Sequence, residues 1–160
     1  MRTAIARLAV LVLPGVSATE SAAQAAPRPL AEVPFILHQN AIILPAVVNR
    51  RDTVRLLLDT GWGPLALVSA AAERLRLNVD MPPGGGLGRT HIGSLSVGDA
   101  HQSRPMVEVF PTESLAPLIG PHDGVLSTAF FRDLVLQVDY PARIVRFFQR
   151  SPIGSGSISL

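Results

Sequence analysis

An all-β domain is what the sequence predicts, on three observations. Short apolar runs rich in Val, Ile and Leu recur from Val33 to Phe148, separated by turn residues. Near the carboxyl end, Leu134, Leu136, Val138 and Tyr140 alternate with Val135, Gln137 and Asp139, the period of a strand with one buried face. Only Ala70 to Leu77 combines alanines, Glu73, Leu75 and arginines into a convincing helix. The 160 residues are 48% hydrophobic and 16% charged, with no cysteine. That is enough apolar surface for one core without disulfides, and too much for a disordered chain.

Residues 1–25 are expected to be a signal peptide. Arg2 and Arg7 precede the apolar run Leu8 to Leu13, Pro14 and Gly15 break it, and small residues lead to Ala23-Gln24-Ala25, a cleavage pattern. The run is too short to span a bilayer, which takes about twenty residues. A secreted or periplasmic location is the expectation, and the missing cysteines are compatible with it. Residues 26–32 read as a lead-in, 33–148 as the folded domain, and the Gly- and Ser-rich 149–160 as a flexible tail.

Within the domain, Val33 to Leu37 and Ile42 to Val48 are β-branched and apolar, with Pro34 and Pro45 suited to edges or strand ends. Asn49-Arg50-Arg51-Asp52 makes a hairpin connection to Thr53 to Leu58. Leu65 to Val68 is a further strand, after which Ser69 is placed to cap the helix Ala70 to Leu77 and Asn78 to end it. Met81 to Gly88, with Gly84, Gly85 and Gly86 in a row, holds no regular element and reads as a loop or the tip of a flexible hairpin. Leu95 to Val97, closed by the turn pair Gly98-Asp99, and Pro105 to Phe110 are strands. Pro111 to His122 is loop, Val125-Leu126 a brief buried piece, and Leu134 to Tyr140, Pro141-Ala142-Arg143 and Ile144 to Phe148 a closing hairpin.

Several function classes fall away on charge and spacing. The 14 basic residues are all arginine and are scattered, only Arg50 and Arg51 being adjacent, so no stripe exists to follow a phosphate backbone. His38, His91, His101 and His122 lack metal-site spacings, and no metal or other cofactor is expected. Ser69, Ser94 and Ser127 lack a Gly-x-Ser-x-Gly frame. The glycine run Gly84 to Gly88 has no following Lys-Ser or Lys-Thr, which removes a phosphate loop.

The chemistry concentrates at Arg55-Leu56-Leu57-Leu58-Asp59-Thr60-Gly61, where a carboxylate follows an apolar strand and the chain must turn at Gly61. A carboxylate so placed is expected to be partly buried. Two such groups facing each other share a proton, one serving as base toward a water and the other as acid toward a carbonyl oxygen.

With Asp123-Gly124-Val125-Leu126, Phe130-Phe131 and the hairpin Val138-Asp139-Tyr140 to Arg143-Ile144-Val145-Arg146-Phe147, this stretch resembles the retropepsin-like aspartic proteases, particularly bacterial single-domain members. The resemblance covers about residues 33–148. It implies a closed β-barrel protomer with one short helix, acting as a homodimer, since each chain carries one Asp-Thr-Gly. It further implies an aspartic endopeptidase in which Asp59 is the catalytic carboxylate, Thr60 links the two active-site loops and Gly61 permits close backbone approach. Pro83 to His91, with Gly84, Gly85 and Gly86, falls where the family has a flap over bound peptide.

Two departures stand out. Trp62 and Gly63 occupy positions where the family usually has Ala and then Ser or Thr, and Ser127 replaces a usual glycine. They motivate a second reading, a noncatalytic peptide-binding module on the same barrel. Asp123 and Asp139 also carry an ordinary reading, as turn aspartates bonding nearby backbone.

Overall fold

The computed structural model describes residues 27–83, 86–112 and 122–150. These form β1 (Ala31–Pro34), β2 (Ile36–His38), β3 (Ala41–Val48), β4 (Asp52–Asp59), β5 (Leu65–Val68), α1 (Ser69–Arg74), β6 (Gly88–His91), β7 (Ser94–Val97), β8 (Ala100–Ser103), β9 (Met106–Phe110), β10 (Gly124–Ser127), α2 (Thr128–Phe131), β11 (Leu134–Asp139) and β12 (Ile144–Gln149). The expected signal peptide and nearly all of the expected tail lie outside the described residues.

Two sheets carry the fold. A nine-stranded sheet runs β6-β9-β5-β10-β4-β3-β7-β8 with β2 beside β3, and a three-stranded sheet runs β1-β12-β11. Neither closes on itself among the described residues, so the strand pairing is that of two open sheets rather than the closed barrel that the resemblance implied.

The order of strands fixes the site. β4 and β5 follow one another in the chain, yet β10 lies between them, parallel to β4 and antiparallel to β5. A parallel neighbour needs a long crossover, here the whole stretch from β5 to β10. β10 is buried along its entire length, which its Gly-Val-Leu-Ser composition allows. Gly124 is required there, because a Cβ would overlap the carbonyl oxygen of Ala66 on β5.

The main core contains Leu44 and Val48 of β3, Val54 and Leu56 of β4, Leu126 of β10, and Val145 and Phe147 of β12, all 2% exposed or less. Phe130 of α2 meets Phe147 edge to face at 6.1 Å. The other face of the large sheet carries a smaller cluster of Ile43, Leu57, Ala66 and Val125, with Phe110 packed against it.

The expected hairpins form. Val97 pairs with Ala100 around the Gly98-Asp99 turn, Gly98 having a φ of 56°. Leu134, Leu136 and Val138 are half-buried and Val135 and Gln137 exposed, as the alternation predicts, whereas Tyr140 at the turn is exposed. Pro34 ends β1. Pro45 instead sits inside β3, opposite Arg55, in the gap between the stretch paired with β2 and the stretch paired with β7. A missing N–H costs no ladder bond there.

Three expectations are corrected. The strand expected over Val33 to Leu37 is broken at Phe35, whose N–H bonds Arg143 O at 2.9 Å, so β1 joins the small sheet and β2 the large one. The helix is shorter than Ala70 to Leu77, ending at Arg74 with Arg76 at a φ of 54°. Ser69 does not cap it. Thr112 does, accepting the Ala70 N–H at 3.1 Å while its Oγ1 lies 3.0 Å from Ser69 Oγ. Strands β6 and β8 were not anticipated, since Gly88-Arg89-Thr90-His91 and Ala100-His101-Gln102-Ser103 are too polar to read as strands and are edge strands of the sheet.

Candidate active site

Asp59 is the last residue of β4 and is half-buried. Its register partner on the parallel strand is Ser127, the last residue of β10. Register partners on adjacent strands rise from the same face, so carboxylate and hydroxyl emerge side by side where the two strands end.

Beyond Asp59 the chain turns at once. Gly61 N–H donates to Asp59 Oδ1 at 2.8 Å, and a Cβ on Gly61 would lie 3.4 Å from that same oxygen. Among the described residues this is the one hydrogen bond the carboxylate makes. Thr60, Gly61, Trp62 and Gly63 are all exposed in the single chain.

The loop is fastened by its carbonyls. Trp62 O accepts from Thr128 N at 3.2 Å and from Thr128 Oγ1 at 2.9 Å. Gly63 O accepts from Ala129 N at 3.1 Å and from Ser127 Oγ at 2.9 Å. The donors belong to the end of β10 and the first turn of α2, where N–H groups lack intrahelical partners. The Trp62 ring meets Phe110 edge to face at 5.6 Å, over the smaller apolar cluster, and remains 37% exposed.

Ser127 therefore enters the site without crowding it. Its side chain is fully buried and has both a donor and an acceptor role, since Ala129 N–H also approaches its Oγ at 3.3 Å. In the sequence Ser127 stands only as a departure from a usual glycine. Its hydrogen-bonding use depends on the parallel pairing of β10 with β4, for which no local signal exists.

Asp123 lies one residue before β10, behind the site. Its Oδ2 accepts the Arg55 N–H at 2.7 Å and its Oδ1 pairs with Arg74 of α1 at 2.7 Å. It thus binds distant chain rather than its own turn. Asp139 keeps the ordinary reading: Oδ1 accepts Ala142 N–H at 3.0 Å across the final turn, and Oδ2 meets Arg146 at 3.2 Å. Those contacts, the Ala142 N–H first and the Arg146 side chain second, hold the Asp139 carboxyl below its ordinary value, and the Asp139 bond raises Arg146.

Of the glycines assigned to the flap, Gly84 and Gly85 lie outside the described residues. Gly86 is exposed with a φ of 125°, a conformation open to glycine and strained for other residues. It leads into β6, which pairs with β9, while Asp80 pairs with Arg89 on the opposite edge of β6. Among the described residues no group of three or more His, Asp or Glu is arranged to hold a metal ion, and no helix is long and apolar enough to cross a membrane.

No protein-family model matches the chain, and no curated protein matches it. Solved structures do. The chain matches, over 72% of its length, 89% of a retropepsin-like aspartic protease from Rickettsia conorii, with 14% identity and a TM-score of 0.53. It also matches the retroviral protease-like domain of Ddi1 from Leishmania major at 12% identity, covering 69% of this chain and 94% of that one, with a TM-score of 0.45. The chain has the fold of the retropepsin-like aspartic proteases, and its Asp-Thr-Gly begins at the end of β4, an interior strand of the large sheet.

Proposed function

We propose that the chain is an aspartic endopeptidase, hydrolysing peptide bonds with a water activated between the Asp59 carboxylates of two copies in a homodimer. The observation that carries this reading is the half-buried Asp59 at the mouth of β4, held at Oδ1 by the Gly61 N–H beside an exposed loop pinned to α2. One carboxylate takes a proton from water as its oxygen bonds the peptide carbonyl carbon, and the protonated partner donates to the carbonyl oxygen. Breaking the C–N bond then returns a proton to the leaving amine. In this reading Thr60 joins the two loops across the dimer axis, and Gly84, Gly85 and Gly86 belong to a flap over the bound peptide. The dimer has a definite reason: one chain supplies one carboxylate, and the chemistry needs two.

A secreted or periplasmic location accompanies this reading, resting on the composition of residues 1–25. The test is cleavage of a diverse peptide mixture by the purified protein from acid to neutral pH, read by mass spectrometry beside Asp59→Asn. Cuts made by the native protein and lost in a folded Asp59→Asn variant support an endopeptidase, and cuts retained by that variant overturn it. Sedimentation decides between dimer and monomer.

The second reading, a noncatalytic peptide-binding module, draws on the exposed Trp62 ring in the loop that follows Asp59. It expects peptides to change Trp62 fluorescence without being cut.

A further inference from the structure

The loop that follows Asp59 has little side-chain packing of its own to hold it. A Cβ on Gly63 would meet nothing within 4 Å, Gly61 has no side chain, and the exposed Thr60 makes no hydrogen bond through its side chain to a described residue. The Trp62 ring gives one edge contact, to Phe110. What fixes the backbone is a joint in which Trp62 O receives the Thr128 N–H and hydroxyl, and Gly63 O receives the Ala129 N–H, the Ser127 hydroxyl at 2.9 Å and, at 3.4 Å, the Thr128 hydroxyl as well. The two N–H groups belong to Thr128 and Ala129 and would be present whatever their side chains. The two hydroxyls are particular to Ser127 and Thr128.

We propose that Ser127 and Thr128 are positioning residues for Asp59, their hydroxyls clamping the Trp62 and Gly63 carbonyls so that the Gly61 N–H stays aimed at Asp59 Oδ1. Its kinetic arm rests on the endopeptidase reading above. The geometry is close. Ser127 is the register partner of Asp59, the clamp begins one residue beyond Gly61, and the Gly61 N–H bond is the one hydrogen bond the described residues make to the carboxylate. A shift of the 61–63 backbone therefore moves the carboxylate directly. Displacements well under an ångström matter for a group that must meet both a water and a second carboxylate.

Ser127 is the more consequential of the two, because it is fully buried and its hydroxyl donates to Gly63 O while accepting from Ala129 N–H. Loss of that hydroxyl leaves Gly63 O with the Ala129 N–H at 3.1 Å and the longer Thr128 hydroxyl contact at 3.4 Å, and frees the loop to tilt about Gly61. Thr128 is half-buried and offers a cleaner probe. Valine matches its shape without the hydroxyl, and serine keeps the hydroxyl without the methyl.

The experiment compares native protein, Asp59→Asn, Ser127→Ala, Thr128→Val and Thr128→Ser. On a peptide cut by the native protein, Ser127→Ala and Thr128→Val are expected to lose kcat by about tenfold with KM within about twofold, and Thr128→Ser to keep kcat. Unchanged kcat in both hydroxyl-free variants overturns the clamp while leaving the endopeptidase reading intact.

If the native protein cuts nothing, that reading fails and the clamp is judged on Trp62, the single tryptophan. Acrylamide quenching should then rise in Ser127→Ala and Thr128→Val and stay at the native level in Thr128→Ser. Equal quenching in all of them overturns the proposal. Should Ser127→Ala fail to fold, the Thr128 pair decides alone.

Discussion

The carboxylate of Asp123 accepts the backbone N–H of Arg55 at 2.7 Å, although 68 residues separate them in the chain. The bond is returned, Asp123 N–H donating to Arg55 O at 2.7 Å, and Val68 N–H donates to Asp123 O at 2.9 Å. Asp123 thereby joins β4 to β5 at the start of the inserted strand. Asp123→Ala is expected to cost about 2 kcal/mol, because it strips a charged acceptor from a backbone donor. Arg74→Ala should cost less than about 1 kcal/mol, since half of the arginine side chain is in water. Urea unfolding followed by circular dichroism ranks the two, and equal losses would show that the ion pair matters more than the backbone bond.

Gly124→Ala should be among the most damaging single-methyl additions to the protein. The new carbon would overlap the Ala66 carbonyl, which is backbone within a paired strand and has nowhere to retreat. A loss of about 3 kcal/mol is expected, with a lower melting temperature. A variant as stable as the native protein would mean that β10 is less firmly seated between β4 and β5.

Asn49 tests the hairpin between β3 and β4. It has a φ of 53°, and its Oδ1 accepts the N–H groups of Gly93 at 2.6 Å and Ser94 at 3.2 Å. Asn49→Ala removes both acceptor contacts and leaves a Cβ-bearing residue without local compensation in the left-handed region, for a loss of about 2 kcal/mol. Asn49→Asp retains an acceptor and should lose less. Thermal unfolding of the two variants checks the order.

Asp139 governs a part of the acid response. Its carboxyl titrates lower in the folded protein than in the unfolded chain, so its contribution is complete above the unfolded value of about 3.9 and disappears as pH falls through the lower folded value. Arg146 is raised, and its own loss of charge falls far above any working pH. Stability should therefore drop on acidification below about pH 4, and Asp139→Asn should flatten that part of the curve. An unaltered acid limb in Asp139→Asn would assign the response to other carboxyls.

Much of both sheets was legible in the residues because it rests on local rules. Alternation marked β11, turn pairs marked Gly98-Asp99 and Asn49 to Asp52, and continuous apolar runs marked β3, β4, β5 and β9. β6 and β8 escaped because edge strands need only one buried face and tolerate polar residues. The cap of α1 escaped because Thr112, which supplies it, is more than forty residues away.

The candidate site divides in the same way. That a carboxylate would follow a leucine strand and precede a turn is written in Leu56 to Gly61, since strand propensity and a glycine bend are properties of neighbouring residues. That Ser127 would stand beside Asp59, and that Thr128 and Ala129 would hold the loop beyond it, followed only from the insertion of β10 between β4 and β5. Such pairings join residues more than sixty positions apart, and they are selected by which apolar faces can be buried together rather than by any local preference of the chain.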